Sequence, residues 1–395
     1  MVDSPNGPEF VEEQDTSLDQ AEVLSFSQAV LYSTDWTVET VVSQLERGNI
    51  DMSPRFQRRD AWGVRGKGRF IESIILGLPI PPIVLAEKKN QRGRYIVLDG
   101  KQRLLSLLQF TGKAEGENNA FGLSGLEARP DLTRKKFTQL ESDPALRGDL
   151  DAFLNHTIRT VVIRNWPSTD FLHLVFLRLN TGSVRLSPQE LRQAMVPGEF
   201  SNLVDDAAAD SIELQTLLSR ASPDPRMRDV ELLVRFLAIR NFLNSYAGRM
   251  KSFLDLACET LNAEWARREG AIKQQIGQFG AAVRSLIAIF EEDKLARKPG
   301  SRSFNRAIFD ALVFYGSDDQ IRIAMEQKAD DVVAAYGRVV QDPVFMEAVE
   351  SDTAGIPHTF ERLAIWGAAL REATGLQFRL PEMVEGRIRF TGFWQ

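Results

Sequence analysis

Tyr95-Ile-Val-Leu-Asp-Gly-Lys-Gln-Arg-Leu-Leu-Ser-Leu-Leu-Gln-Phe110 constrains this chain more than any other stretch. Its first four residues are bulky and apolar or β-favouring, and they follow the turn-rich Lys88-Lys-Asn-Gln-Arg-Gly93, so a strand is expected over 95–98. Asp99-Gly100 breaks that strand, because glycine adopts backbone angles that other residues resist and aspartate caps helices. Leu104, Leu105, Leu107 and Leu108 then make a wide apolar stripe, and Gly112 stands where a glycine ends a helix. The pattern places Lys101 and Arg103 in the first helical turn. That is the unfavourable end of the helix dipole for a cation, costing about 0.3–1 kcal/mol each where exposed. Helix-start amides and two basic side chains gathered at one point are what an anion such as a phosphate requires. The same residues also describe an ordinary strand-turn-helix corner whose Arg103 pairs with a carboxylate elsewhere.

A chain of 395 residues has the length for two or three domains and a sizeable core. With 43% hydrophobic and 26% charged residues its composition is that of an ordinary globular protein. It has no apolar run of about 18 residues and no basic-then-apolar leader, so a cytoplasmic protein with no membrane partner is expected. The single cysteine, Cys258, lies in a helical pattern and reads as a small buried residue rather than a nucleophile. His156, His173 and His358 are far apart and have no neighbour at metal-ligand spacing, which argues against a zinc site. Gly63-Val-Arg-Gly-Lys-Gly68 resembles a phosphate loop only superficially, since it lacks the Gly-Lys-Ser/Thr ending.

The net charge of −6 is unevenly distributed. Asp3, Glu9, Glu12, Glu13, Asp15, Asp19, Glu22, Asp35, Glu39 and Glu46 fall within residues 1–46, which hold no Lys or Arg. The sign then reverses through Arg55, Arg58, Arg59, Arg65, Lys67, Arg69, Lys88, Lys89, Arg92, Arg94, Lys101 and Arg103. Residues 1–34 are expected to be a disordered acidic tail, either simply solvating or folding back as a mimic of nucleic acid.

Thr37 is placed to cap a short helix that turns Val38, Val41, Val42 and Leu45 inward, with Gly48 at its end. Ile50-Asp-Met52 is a short strand candidate. After Pro54, Phe56 and Trp62 offer apolar faces, and Gln57 and Arg58 offer donors for phosphate or base edges; both aromatics as core with Arg58 as a structural clamp is equally compatible with the residues. Arg69 to Leu76 reads as a helix, and residues 83–86 and 157–164 as strands. Phe171 to Leu179 reads as a buried helix, Asn180-Thr-Gly182 as a turn between Arg178 and Arg185, and Ser187-Pro-Gln-Glu190 as a capping box. From residue 191 the pattern is helix after helix, strongest over 230–243, 253–261, 279–290, 308–314 and 361–370. Arg226, Arg228, Asp229 and Glu231 read as a charge network at a helix start, and 387–394 as a docking tail or a final strand.

Leu98-Asp-Gly-Lys-Gln-Arg-Leu104 resembles the Asp-Gly-Gln-Gln-Arg signature of the N-terminal domain of GmrSD-type restriction endonucleases. Pro54-Arg-Phe-Gln-Arg58 with Trp62, Phe70-Ile-Glu-Ser-Ile-Ile-Leu-Gly-Leu-Pro-Ile-Pro-Pro-Ile83, and Phe176-Leu-Arg-Leu-Asn-Thr-Gly182 with Leu186 and Glu190-Leu-Arg192 match in the same order. The resemblance implies an α+β protein: a small mixed-sheet core like that of the ParB/sulfiredoxin superfamily over 35–190, then a larger helical domain over 191–395. It also implies nucleotide binding at the strand-to-helix turn, NTP hydrolysis, and defence against foreign or modified DNA. Nothing after residue 200 resembles the His-Asn-His nuclease domain that such proteins often carry, so any nuclease would be a separate subunit. Lys101 stands where the family has Gln, which bears on hydrolysis more than on binding.

The implied site follows residue by residue. Gly100, Lys101, Arg103, Gln57 and Arg58 would bind the phosphates of an NTP of unspecified base, and Asp99, Gln102 and Arg103 would carry the chemistry, Asp99 by positioning the loop or holding Mg²⁺. Phe56, Gln57, Arg58, Trp62, Asn180 and Thr181 would meet nucleic acid. Phosphoryl transfer needs positioning and charge neutralisation more than a special nucleophile, so these residue types suffice. Two alternatives remain: a non-hydrolysing nucleotide or DNA sensor that switches a partner nuclease, and a metal-dependent DNase.

Overall fold

The computed structural model describes residues 30–52, 62–114, 120–167, 171–172, 175, 187–291, 294–298, 300–301 and 303–394. The expected sites at Phe56, Gln57, Arg58, Asn180 and Thr181, the acidic tail before residue 30, and most of the helix expected over 171–179 lie outside the described residues. The chain divides into two compact units, one covering Leu18–Met195 and the other containing Val196–Gln395.

In the first unit, strand β1 (Val30–Thr37) leads into helix α1 (Val38–Glu46). Residues 30–34, assigned to the tail on sequence, are thus the opening of a strand. Thr37 caps α1 by accepting the Thr40 N–H at 3.2 Å, and Val38, Val41, Val42 and Leu45 are buried as their spacing requires. Helix α2 (Val64–Ile75) begins five residues before the expected Arg69, so the glycines of the pseudo-phosphate loop lie at its start. Gly68 is needed there because a Cβ would stand 2.1 Å from the Ser124 carbonyl oxygen. Ile50 makes only an isolated bridge with Tyr95 rather than a strand.

Strands β2 (Ile83–Glu87) and β3 (Tyr95–Asp99), helix α3 (Lys101–Phe110), helices α4 (Phe137–Ser142) and α5 (Arg147–Asn155), strand β4 (Thr157–Arg164) and helix α6 (Pro188–Met195) complete the unit. The sheet order is β1-β4-β2-β3, with β2 parallel to β4 and the other pairs antiparallel. Alternation divides its side chains between two layers. Ile83, Leu85, Tyr95, Val97, Ile158 and Val162 pack with the apolar faces of α1, α2, α3 and α5. Val84, Ala86, Leu98 and Ile163 pack on the opposite face with Trp166 and Leu191 of α6. Leu104, Leu105, Leu107 and Leu108 are all buried, each contributing about 1.5–3 kcal/mol of transfer free energy.

The second unit is helical: α7 (Glu199–Asp210), α8 (Ile212–Leu217), α9 (Arg228–Phe242), α10 (Met250–Ala263), α11 (Trp265–Phe290), α12 (Arg306–Gly316), α13 (Asp319–Gln327), α14 (Ala329–Val339), α15 (Pro343–Glu350) and α16 (Ile356–Thr374). α12 is central, buried along its whole length after Arg306. The last residues form a hairpin of β5 (Glu382–Val384) and β6 (Arg387–Arg389), followed by Phe390, Phe393 and Trp394 in an aromatic cluster with Phe314, Tyr315 and Phe378. Cys258 is buried in α10. The architecture is α+β, a small mixed sheet followed by helices.

Candidate functional site

The corner expected between residues 95 and 110 forms as strand β3, Gly100 and helix α3. β3 carries a bulge: Val84 pairs with Asp99 while Leu85 pairs with Val97, so Leu98 is an extra residue in the ladder. A bulge twists a strand and re-aims the residue beyond it, and here that residue is Asp99. Gly100 follows at φ 95°, a left-handed conformation that side-chain-bearing residues resist. The first intrahelical bond of α3 runs from Leu104 N–H to the Gly100 carbonyl, so the amides of residues 101–103 have no partner within the helix.

Both cations of this turn lie inside the protein, and each faces a carboxylate. Arg103 Nη2 donates to Asp99 Oδ2 at 2.6 Å and to the Pro82 carbonyl at 3.2 Å. Its guanidinium lies over Gly100, where a Cβ would come within 3.2 Å of Nη2 and 3.3 Å of Nε. Arg103 Nε is buried without an acceptor among the described residues. Lys101 Nζ donates to Glu190 Oε1 at 2.7 Å, with side-chain exposures of 5% and 4%. Gln102 is buried beside them, and its carbonyl accepts the Ser106 hydroxyl at 2.7 Å.

The sequence marks Glu190 as part of a capping box and of the Glu190-Leu-Arg192 resemblance, and the box is present. Its Oε2 accepts the Ser187 N–H at 2.7 Å, and its N–H donates to Ser187 Oγ at 3.1 Å. Its other oxygen, Oε1, holds Lys101, which sequence reasoning missed. Two separate signals preceded it, a cation at a helix start and a glutamate at a helix start, but 89 residues separate them. Only the packing of α6 on the sheet brings them together. Lys101, Arg103 and Glu190 are buried and Asp99 partly so, and the four together carry zero net formal charge.

Trp62 is half-buried and set edge-on to Phe70, ring centroids 5.8 Å apart, against the core beneath α2. Among the described residues no three Asp, Glu, His or Cys side chains converge in a way that could hold a metal ion. None of the described helices is long and apolar enough to cross a membrane.

Residues 38–197 match the family model described as GmrSD restriction endonuclease, N-terminal domain. The matched segment contains the corner, Lys101 and Glu190. Comparison with curated proteins and with solved structures returns no match. A domain of this kind marks a component of a restriction or defence system, with DNA involved.

Proposed function

We propose that residues 38–197 bind a nucleoside triphosphate at the start of α3 and that the protein hydrolyses it as part of defence against foreign or modified DNA. The observation that carries this reading is the helix start itself: a left-handed glycine, first-turn amides that the helix does not use, and two buried cations, with the buried Arg103 Nε lacking an acceptor among the described residues. Lys101 and Arg103 would neutralise phosphate charge, and Gln102 would orient the attacking water. Mg²⁺ would arrive on the phosphates, with Asp99 as the candidate oxygen donor. Gln57 and Arg58 would complete the phosphate pocket. Phe56, Gln57, Arg58, Trp62, Asn180 and Thr181 would face DNA.

A second reading, a non-hydrolysing sensor that switches a separate nuclease, draws on the pairing of Lys101 with Glu190. A cation already engaged must exchange partners when a phosphate enters, which links binding to conformation. Hydrolysis and binding of ATP, GTP and CTP, with and without DNA, by wild type and Arg103→Ala separate the two. Turnover lost in the variant supports the hydrolase. Binding without turnover, weakened roughly tenfold or more by the variant, supports the sensor. Neither activity overturns both readings and leaves the corner a structural one.

A further inference from the structure

We propose that Glu190 gates the nucleotide site: it holds Lys101 until a phosphate takes the cation, and its release loosens the start of α6. The inference rests on the nucleotide reading above and assigns that site its regulator. Glu190 uses its two oxygens for two tasks, Oε2 for the Ser187 N–H and Oε1 for Lys101 Nζ, both at 2.7 Å. Capping alone does not need the charge, since Gln completes the same box. A buried ion pair is at best a modest gain over apolar residues of the same volume, because both charges lose their hydration. The charge of Glu190 therefore serves Lys101 and not the fold of α6.

The exchange follows from electrostatics. Lysine is a compact charge on a flexible stem, and a polyphosphate outcompetes a single carboxylate for it. Once Lys101 turns to phosphate, Glu190 is a buried carboxylate without its counter-charge, held among the described residues only by the Ser187 N–H, and movement toward water relieves it. As it leaves, Oε2 leaves the Ser187 N–H and the capping box opens. α6 is the last element of its unit, and the chain passes from Met195 directly to Val196, where the helical unit resumes. The nucleotide state would be read out at residues 187–191. By linkage, anything that holds the Glu190 carboxylate on Lys101 with the cap closed weakens nucleotide binding.

The test uses the full chain, with ATP, GTP and CTP as probes, and measures affinity together with hydrogen exchange at residues 187–191. Glu190→Gln keeps the cap and removes the competitor, so affinity should tighten about tenfold over wild type. Nucleotide should speed exchange at 187–191 in wild type and leave it unchanged in Glu190→Gln. Binding by the variant alone would also support the gate, because the competitor then fully blocks the wild-type site. Wild-type binding that Arg103→Ala weakens, with no tightening in Glu190→Gln or no exchange response, overturns the gate and leaves the nucleotide reading standing. No binding by wild type or Glu190→Gln overturns both. If Glu190→Gln does not fold, the double variant Lys101→Met with Glu190→Gln removes both charges, and an exchange response to nucleotide in it overturns the gate.

Discussion

Arg235 of α9 and Asp310 of α12, 75 residues apart, meet as a forked pair deep in the helical unit, with Arg235 Nη2 at 2.6 Å from Asp310 Oδ2 and Nε at 3.1 and 3.2 Å from the two carboxylate oxygens. Both side chains are almost fully buried, and Glu231 stands beside them, bridged to Arg306 at 3.1 Å. Removing one partner of such a pair leaves a buried charge without its closest counter-ion; for Arg235, Glu231 at 4.0 Å is left nearby. Asp310→Asn should cost about 3–5 kcal/mol of unfolding free energy, read as a lower urea midpoint. Arg235→Met combined with Asp310→Leu should recover most of the loss; a double variant no more stable than the single would show that the pair is not the cause.

Gly100 links backbone conformation to the position of Arg103. An alanine there must hold φ near 95° and place its Cβ 3.1 Å from Ile83 Cγ1 and about as near the Arg103 guanidinium. Gly100→Ala should cost about 1–2 kcal/mol from the left-handed strain alone. It should also weaken triphosphate binding, because the guanidinium must shift. Unchanged stability and affinity would show that the corner tolerates another conformation.

Glu72, buried on α2, anchors the loop after Gly125. It accepts the N–H groups of Ala128 and Arg129 at 2.8 and 2.7 Å and that of Glu127 at 3.1 Å. Burial pushes its carboxyl up, but these three amides and the nearby Arg69 charge together hold it below its ordinary value of 4.5. Because the folded value is the lower one, the stabilisation is complete above pH 4.5 and is lost as pH falls through the lowered value. Glu72→Gln should cost about 1.5–3 kcal/mol at pH 7, and the gap to wild type should narrow in acid. A gap of constant size from pH 7 to pH 3, in urea titrations, would exclude this account.

Trp62 sits edge-on against Phe70 in the core layer. Trp62→Ala should lower stability by roughly 2–3 kcal/mol through lost packing. Weaker DNA binding by this variant counts as a direct contact only if stability, measured on the same sample, has not fallen.

Much of the site's backbone was legible in residues 95–112, where β-favouring residues, a glycine at the required positive φ, a leucine stripe and a closing glycine each act over a few positions. The caps at Thr37 and Ser187 were readable for the same reason, as was the helical character of the second unit. Local sequence was less able to set the start of α2: glycines disfavour a helix, and tertiary burial of Phe70, Ile71, Ile74 and Ile75 extends it back to Val64 regardless. Nor could it show what Lys101 and Arg103 face. A helix start announces cations and amides through short-range rules, whereas the counter-charge of Lys101 depends on which segments the sheet brings together. The sequence by itself determined that two cations would stand at a helix start. Asp99 is the local i,i+4 partner of Arg103. Only the tertiary structure decided that Glu190, from a helix on the other face of the sheet and 89 residues away, would neutralise Lys101, because burial in a low-dielectric interior demands for Lys101 a partner that local chain geometry cannot name.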